Sequence, residues 1–343
     1  MALPSWLSPF FSLQYPVDTP KNTDSFPDSA YYATGLKDIY LAVTLIAIMA
    51  VLRDAFRLLV FEPFARWKLY RDAAYKTAQQ AKKANGTNGK ANSNGHTPHR
   101  VTKSQERKIH RSVLRFAEQG WSMVYYPLQW GFGLYVNRNL PTRLFNPVDL
   151  WVNYPHVYLP APVKFYYIAQ TAFYLHQMLI LNAEARRKDH YQMMTHHVIT
   201  VFLMGASYFY NLTRVGCLIM ILMDWCDIFL PMAKMMRYLE LPQILTDAAF
   251  GWFLISWFVT RHVLFIIIIW STIFDIPRVL PFDWDPVRGH FLTKGSWMMF
   301  LSCLLSLEVL QIIWFGMIVR IAWRVVTSGE GASDDRSDDE DER

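Results

Sequence analysis

Charge is scarce in this chain. Asp, Glu, Lys and Arg make up 18% of its 343 residues, against roughly a quarter in soluble domains. That leaves too little polar surface to wrap a single water-soluble globule. Cysteine is scarce too. Cys217, Cys226 and Cys303 lie in apolar stretches, at spacings that fit neither a CxxC pair nor a zinc ribbon. A disulfide framework is thereby excluded, and the three read as reduced, buried, small hydrophobes. The first twenty residues lack the basic start and unbroken apolar core of a secretory signal, because Pro4, Pro9 and Pro16 interrupt them. Internal repeats are lacking as well. What the chain does have is 52% hydrophobic residues, which excludes a wholly disordered polypeptide.

Those hydrophobic residues come in runs. Segments 35–54, 120–136, 164–181, 194–212, 216–232, 248–270 and 296–323 are each long and apolar enough to be read as membrane-spanning helices. The second is the weakest, interrupted by Gly131 and Gly133. Trp151, Tyr154, Trp270, Trp284 and Trp323 cluster near segment ends, as interfacial anchors do. The expected fold class is an all-α integral membrane protein. Its net charge of +6 hides a split, because residues 330–343 alone carry −6. Lys and Arg are divided unequally between the loops, twenty on one side against nine on the other. The positive-inside rule then places the N-terminus in the lumen and the basic middle and the acidic tail in the cytosol. Residues 82–99 are Gly- and Asn-rich without an apolar period, and read as flexible linker. The tail reads as disordered. Its Ser333 and Ser337 precede acidic residues, the pattern an acid-directed kinase modifies, and phosphate there would deepen the negative charge. The basic middle suits anionic lipid or the phosphates of a coenzyme, and no nucleic-acid partner is expected.

Ionisable groups inside spans are costly and therefore informative. The fourth segment opens on His196 and His197, the fifth contains Asp224 and Asp227, and the sixth contains Arg261 and His262. The two aspartates are spaced i, i+3 and share a helix face. Counted from the short turn near Arg214, both pairs fall in the cytosolic half of the bilayer, within reach of each other. A histidine in an apolar site can serve as general base or nucleophile, and a neighbouring carboxylate orients it. Amide formation from an amine and a thioester needs such groups. The adjacent histidines lack the i, i+4 spacing of an HExxH zinc site, and no metal is expected. Arg261 and His262 read as a structural contact or an interfacial anchor.

These residues sit in a longer pattern. Arg187-Lys188-Asp189-His190 leads into Met193-Met194-Thr195-His196-His197, followed by Ser207-Tyr208-Phe209-Tyr210-Asn211-Leu212-Thr213-Arg214, and then by Met223-Asp224-x-x-Asp227 with Ala233-Lys234. The pattern resembles the signature of ceramide synthases in the TLC-domain family, and Met223 and Pro231 make it more similar to fungal than to animal members. The resemblance implies a bundle of six transmembrane helices plus one N-terminal transmembrane helix, in the endoplasmic reticulum membrane. It divides the chain into a lumenal segment 1–34, a first span 35–60, a basic cytosolic linker 61–117, a catalytic TLC domain 118–324 and an acidic tail 325–343. The implied reaction moves a fatty acyl group from acyl-CoA, as co-substrate, to the amine of a sphingoid base, without other cofactors. The catalytic set would be His196, His197, Asp224 and Asp227. Substrate contacts would come from Arg187, Lys188, Asn211, Arg214 and Lys234. A dimer and a small single-span accessory subunit are implied partners. Direct transfer and an acyl-histidine intermediate both remain open here. The competing reading is a TLC-domain lipid transporter or regulatory lipid-binding membrane protein.

Overall fold

The computed structural model describes residues 4, 6–21, 23–87, 102–143, 145–183 and 189–328. Helix α1 (Asp38–Phe56) carries the first apolar run, passes through a π-helical turn at Arg57–Phe61 and continues as α2 (Glu62–Thr87). Then follow α3 (Lys103–Asn139), α4 (Ala161–Ala183), α5 (His190–Phe209) and α6 (Thr213–Tyr238). Helix α7 (Gln243–Trp257) runs through a second π-helical segment, Phe258–Leu264, into α8 (Phe265–Phe274), and α9 (Lys294–Ser328) closes the bundle. Strand is confined, among the described residues, to a small antiparallel sheet at one end. It is formed by β1 (Pro16–Val17), β2 (Tyr31–Tyr32) and β3 (Leu159–Pro160), with Pro16 opposite Tyr32 and Tyr31 opposite Pro160.

Asp38–Gln80, Thr213–Tyr238, Gln243–Val279 and Lys294–Thr327 are long and apolar enough to cross a membrane, and the chain is a multi-pass membrane protein. Helices α3, α4 and α5 run beside them but are less apolar, because they carry Gln129, Gln170, His176, His196 and His197. Of these, His196 and His197 face an internal chamber.

Local signals set the helix ends. At the start of α3 the Gln105 backbone N–H donates to Thr102 Oγ1 at 3.3 Å, and the Thr102 N–H donates to Gln105 Oε1 at 3.0 Å, a reciprocal cap. The turn between α5 and α6 uses Asn211 at φ +59°, a backbone state asparagine tolerates, and its Nδ2 donates to the carbonyl of Gly289 at 2.8 Å. Gly289 itself has φ +72°, and a Cβ there would lie 2.7 Å from Val157. Where α6 crosses α4, Gly216 lets the Tyr167 hydroxyl approach so closely that any Cβ would overlap it.

Within 61–117, which the resemblance makes a basic linker, residues 62–87 and 103–117 are helical. Ala65 and Leu69 of α2 pack on Ile109, Val113 and Phe116 of α3. Lys68 Nζ donates to the Leu239 carbonyl at 2.9 Å, tying α2 to the end of α6. Surrounding charge hid these apolar positions, spaced as one helical face.

A buried clasp holds the sheet end. Lys164, one of the nine Lys and Arg on the less basic side, is fully buried at the start of α4. Its Nζ donates to the carbonyls of Gln14 and Ala33 at 2.7 Å each and pairs with Asp38 at 2.8 Å. The Tyr208 hydroxyl donates to the other Asp38 oxygen at 2.8 Å. The N-terminal segment, α1, α4 and α5 thus meet at one ion pair.

Beside the clasp, in the loop before α4, burial and then the Arg214 charge push the His156 imidazole down to about 4. The neutral ring is the form that the fold accepts. His156 therefore supports the fold above pH ~6.5, and that support is lost as pH falls towards about 4. Asp24 acts below this window. Burial raises its carboxyl, but the Arg214 hydrogen bond and charge outweigh that and hold it below its usual value. The melting temperature of detergent-solubilised protein should drop between pH 6.5 and 4, by an amount equivalent to on the order of 3 kcal/mol. The drop should flatten in His156→Gln. An equally steep profile in that variant would assign the transition to other groups.

Candidate functional site

A chamber of about 580 Å³ opens at the end of the bundle opposite the sheet, within the size range of small-molecule sites. His196 and His197 line it from α5, Tyr174 from α4, Asp227 and Lys234 from α6, and Arg261 from the second π segment. The local sequence explains several of these placements. Pro231 lies inside α6 and lines the chamber. It has no N–H to give the Asp227 carbonyl, so the helix ladder is interrupted beside the carboxylate. π segments concentrate at functional sites, and here the two neighbours Arg261 and His262 serve different partners. Arg261 turns to α6, where it donates to Asp227 Oδ1 at 2.6 Å, to Cys226 Sγ at 2.9 Å and to the Met223 carbonyl at 3.2 Å. Its guanidinium lies 4.1 Å from the Trp257 ring centroid. His262 turns to α9 and meets Glu308 at 2.7 Å.

The two histidine rings are 5.5 Å apart, with His196 against Trp314 at 5.3 Å and His197 against Tyr174 at 5.8 Å. Neither ring is hydrogen-bonded within the described residues, and both Nδ1 atoms are buried without a partner. They are uncommitted bases facing a chamber. The expected aspartates divide. Asp227 is in the chamber wall, held by Arg261. Asp224 is fully buried behind it and accepts from Gln170 Nε2, whose amide oxygen in turn accepts from the Tyr125 hydroxyl at 3.2 Å. Among the described residues no hydrogen bond joins either aspartate to either histidine, so a preformed His–Asp dyad is absent there.

The other expected site residues also separate. Lys234 lines the chamber near its mouth. Asn211 and Arg214 do not. They lie at the sheet end, where Arg214 pairs with Asp24 and donates to the Val152 carbonyl. Arg187, Lys188, Ser333 and Ser337 lie outside the described residues. The structure adds what the pattern missed. Arg53 from α1 and Arg320 from α9 join Lys234 and Arg237 in lining the chamber towards its mouth, together with Glu118 and Asp189. Arg261 also belongs to the chamber, and its only signal was its depth in an apolar span. Among the described residues no group of three or more His, Cys, Asp or Glu could hold a metal ion.

A second cavity, narrow and apolar at about 80 Å³, runs towards the sheet end between Met204, Leu212, Val215, Trp297 and Phe300. A chamber with two unpartnered bases, several cationic side chains and an apolar cavity beside it can receive an amphiphile with an anionic head.

The TLC-domain family model matches residues 115–320, and the chain belongs to that family. Within curated proteins, it is 41% identical to a sphingosine N-acyltransferase of Schizosaccharomyces pombe over 67% of this chain and 58% of the relative. It is 36% identical to a sphingosine N-acyltransferase-like protein of Alternaria alternata over 68% of this chain and 60% of the relative. A ceramide synthase of Gibberella moniliformis is 36% identical over 66% of this chain and 59% of its own length. The chain thus spans less than two thirds of the length of the curated relatives it matches.

Proposed function

We propose that this protein is a ceramide synthase, an acyl-CoA-dependent sphingosine N-acyltransferase of the endoplasmic reticulum membrane. The observation that carries the reading is the pair of unpartnered histidines in a chamber that is lined by several basic side chains and shares Tyr174 with an apolar cavity. The names of the relatives point the same way. The orientation that goes with it puts the N-terminus in the lumen and the mouth in the cytosol, where acyl-CoA is available. The 118–324 region is then the catalytic unit. A second copy of the chain and a small single-span subunit belong to the same reading on the family resemblance.

Acyl-CoA enters with its phosphates at the cationic mouth and the carbonyl end of its tail directed at the apolar cavity. In direct transfer, one of His196 and His197 accepts a proton from the neutral sphingoid amine as nitrogen attacks the thioester carbonyl. The C–N bond forms, the C–S bond breaks, and the leaving thiolate takes up the proton. In the two-step route the imidazole nitrogen attacks first, releasing CoA, and the amine then displaces the imidazole from the acyl carbon. Asp227, fixed by Arg261, balances the charge that develops on the imidazole.

Purified protein in detergent, given a ladder of acyl-CoA lengths and either dihydrosphingosine or phytosphingosine, should release CoA thiol and form the N-acyl product in equal amounts. Binding of these lipids without thiol release at any chain length would overturn the reading in favour of a lipid-binding role.

A further inference from the structure

The chamber and the apolar cavity meet at one side chain. Among the described residues, Tyr174 alone lines both. Its ring packs against His197, with centroids 5.8 Å apart and planes at 62°. Of the neighbouring tyrosines of α3 and α4, Tyr126 lines the chamber but not the apolar cavity, and three others have hydroxyls that are bonded or sealed. Tyr125 is bonded to Gln170, and Tyr167 to Ser207. Tyr166 packs against the backbone at Gly133 with its hydroxyl sealed in. The Tyr174 ring is buried, yet its hydroxyl has no hydrogen-bond partner among the described residues and is not among the sealed, unpartnered atoms. It is an uncommitted donor open to a cavity.

A fatty acyl thioester has one polar junction, the carbonyl, between an apolar tail and a large anionic carrier. When the carbonyl end of the tail lies in the apolar cavity and the carrier lies towards the mouth, the carbonyl falls where the two spaces join. Attack on that carbonyl, by amine or by imidazole, moves an electron pair onto its oxygen. A fixed O–H donor in a water-poor site is worth most at that moment. We infer that the Tyr174 hydroxyl donates the hydrogen bond that holds the acyl carbonyl oxygen during transfer, which makes it a catalytic residue beside His197. This inference rests on the N-acyltransferase reading above. The hydroxyl keeps its proton throughout, and the charge returns from oxygen to carbon when the C–S or C–imidazole bond breaks.

The test is Tyr174→Phe, which keeps the ring and removes only the donor. Initial rates with a saturating sphingoid base should show kcat reduced about 10²- to 10³-fold. The KM for acyl-CoA should stay within about threefold, and the melting temperature should be unchanged. If the phenylalanine variant is recovered poorly, Tyr174→Met is measured in its place. A kcat within threefold of the unsubstituted protein in either variant overturns the inference and leaves Tyr174 a packing residue. A loss confined to KM overturns it as well, because a ground-state contact alone would do that. Absence of acyl transfer by the unsubstituted protein is a different result, and it defeats the functional reading instead.

Discussion

Protein carrying His196→Ala and His197→Ala together folds, inserts and does not transfer acyl groups. The expectation has two parts because the structure separates them. Neither ring makes a hydrogen bond within the described residues, so alanine removes no polar partner. Alanine is also the most favourable residue in a helix. Stability should therefore change little, beyond the lost packing of the rings against Trp314 and Tyr174. Chemistry, by contrast, loses its base or nucleophile, a contribution of about 10²- to 10⁴-fold. Groups that act as a unit are not additive, so the double variant should be no worse than the more damaging single one. CoA-thiol release and product formation measure the first part, and melting temperature in detergent the second. Activity within tenfold of the unsubstituted protein would remove both histidines from the mechanism. Intact mass after exposure to acyl-CoA alone, without base, separates the two chemical routes, since only the two-step route leaves an acyl group on the protein.

Arg261→Met should be among the most destabilising single changes in the chain. Arg261 and Asp227 are mostly buried, with side chains 5% and 22% exposed. Removing the guanidinium strands the carboxylate and also takes donors from Cys226 Sγ and the Met223 carbonyl. Breaking a buried pair from one side typically costs about 3–5 kcal/mol. Replacing both partners should cost less, so Arg261→Met with Asp227→Leu should regain much of the lost melting temperature. Activity should not return with it, because the carboxylate in the chamber wall is gone. A single Arg261→Met variant as stable as the original would show that the pair contributes no stability. A fully active double variant would show that Asp227 has no part in the chemistry.

The apolar runs placed most of the helices because hydrophobic length is a local property. His196, His197 and Asp227 were legible as chamber residues because helical spacing and a short α5–α6 turn suffice to bring them to one depth. Arg261 was not, since it reaches Asp227 from 34 positions away, out of a π segment that helical counting does not anticipate. Lys164 misled the loop-charge count. Nothing local separates a lysine at a membrane interface from one sealed under a strand, and the partner that decides it, Asp38, lies on another helix. Asn211 and Arg214 belonged to the resembling pattern, yet the fold spends them on the turn at the sheet end. Helix α2 and the part of α3 ahead of residue 120 were concealed by their own surface charge, because the apolar stripe that joins them is short and its neighbours are Lys and Arg.

The clasp at Lys164 bears on where this protein can be cut. The family match begins at residue 115, which invites an expression boundary just before it. A chain trimmed there would keep Lys164 and lose Asp38, Gln14 and Ala33, three of the groups that accept from or pair with its ammonium. It would also lose α2 together with Ile109 and Val113 of α3, leaving Phe116 without the residues it packs on. The unit recognisable by sequence similarity is therefore smaller than the unit that folds. A bare ammonium left in a site built to exclude water would mark that discrepancy, and shortened versions of the protein should be sought beyond residue 328 rather than ahead of α3.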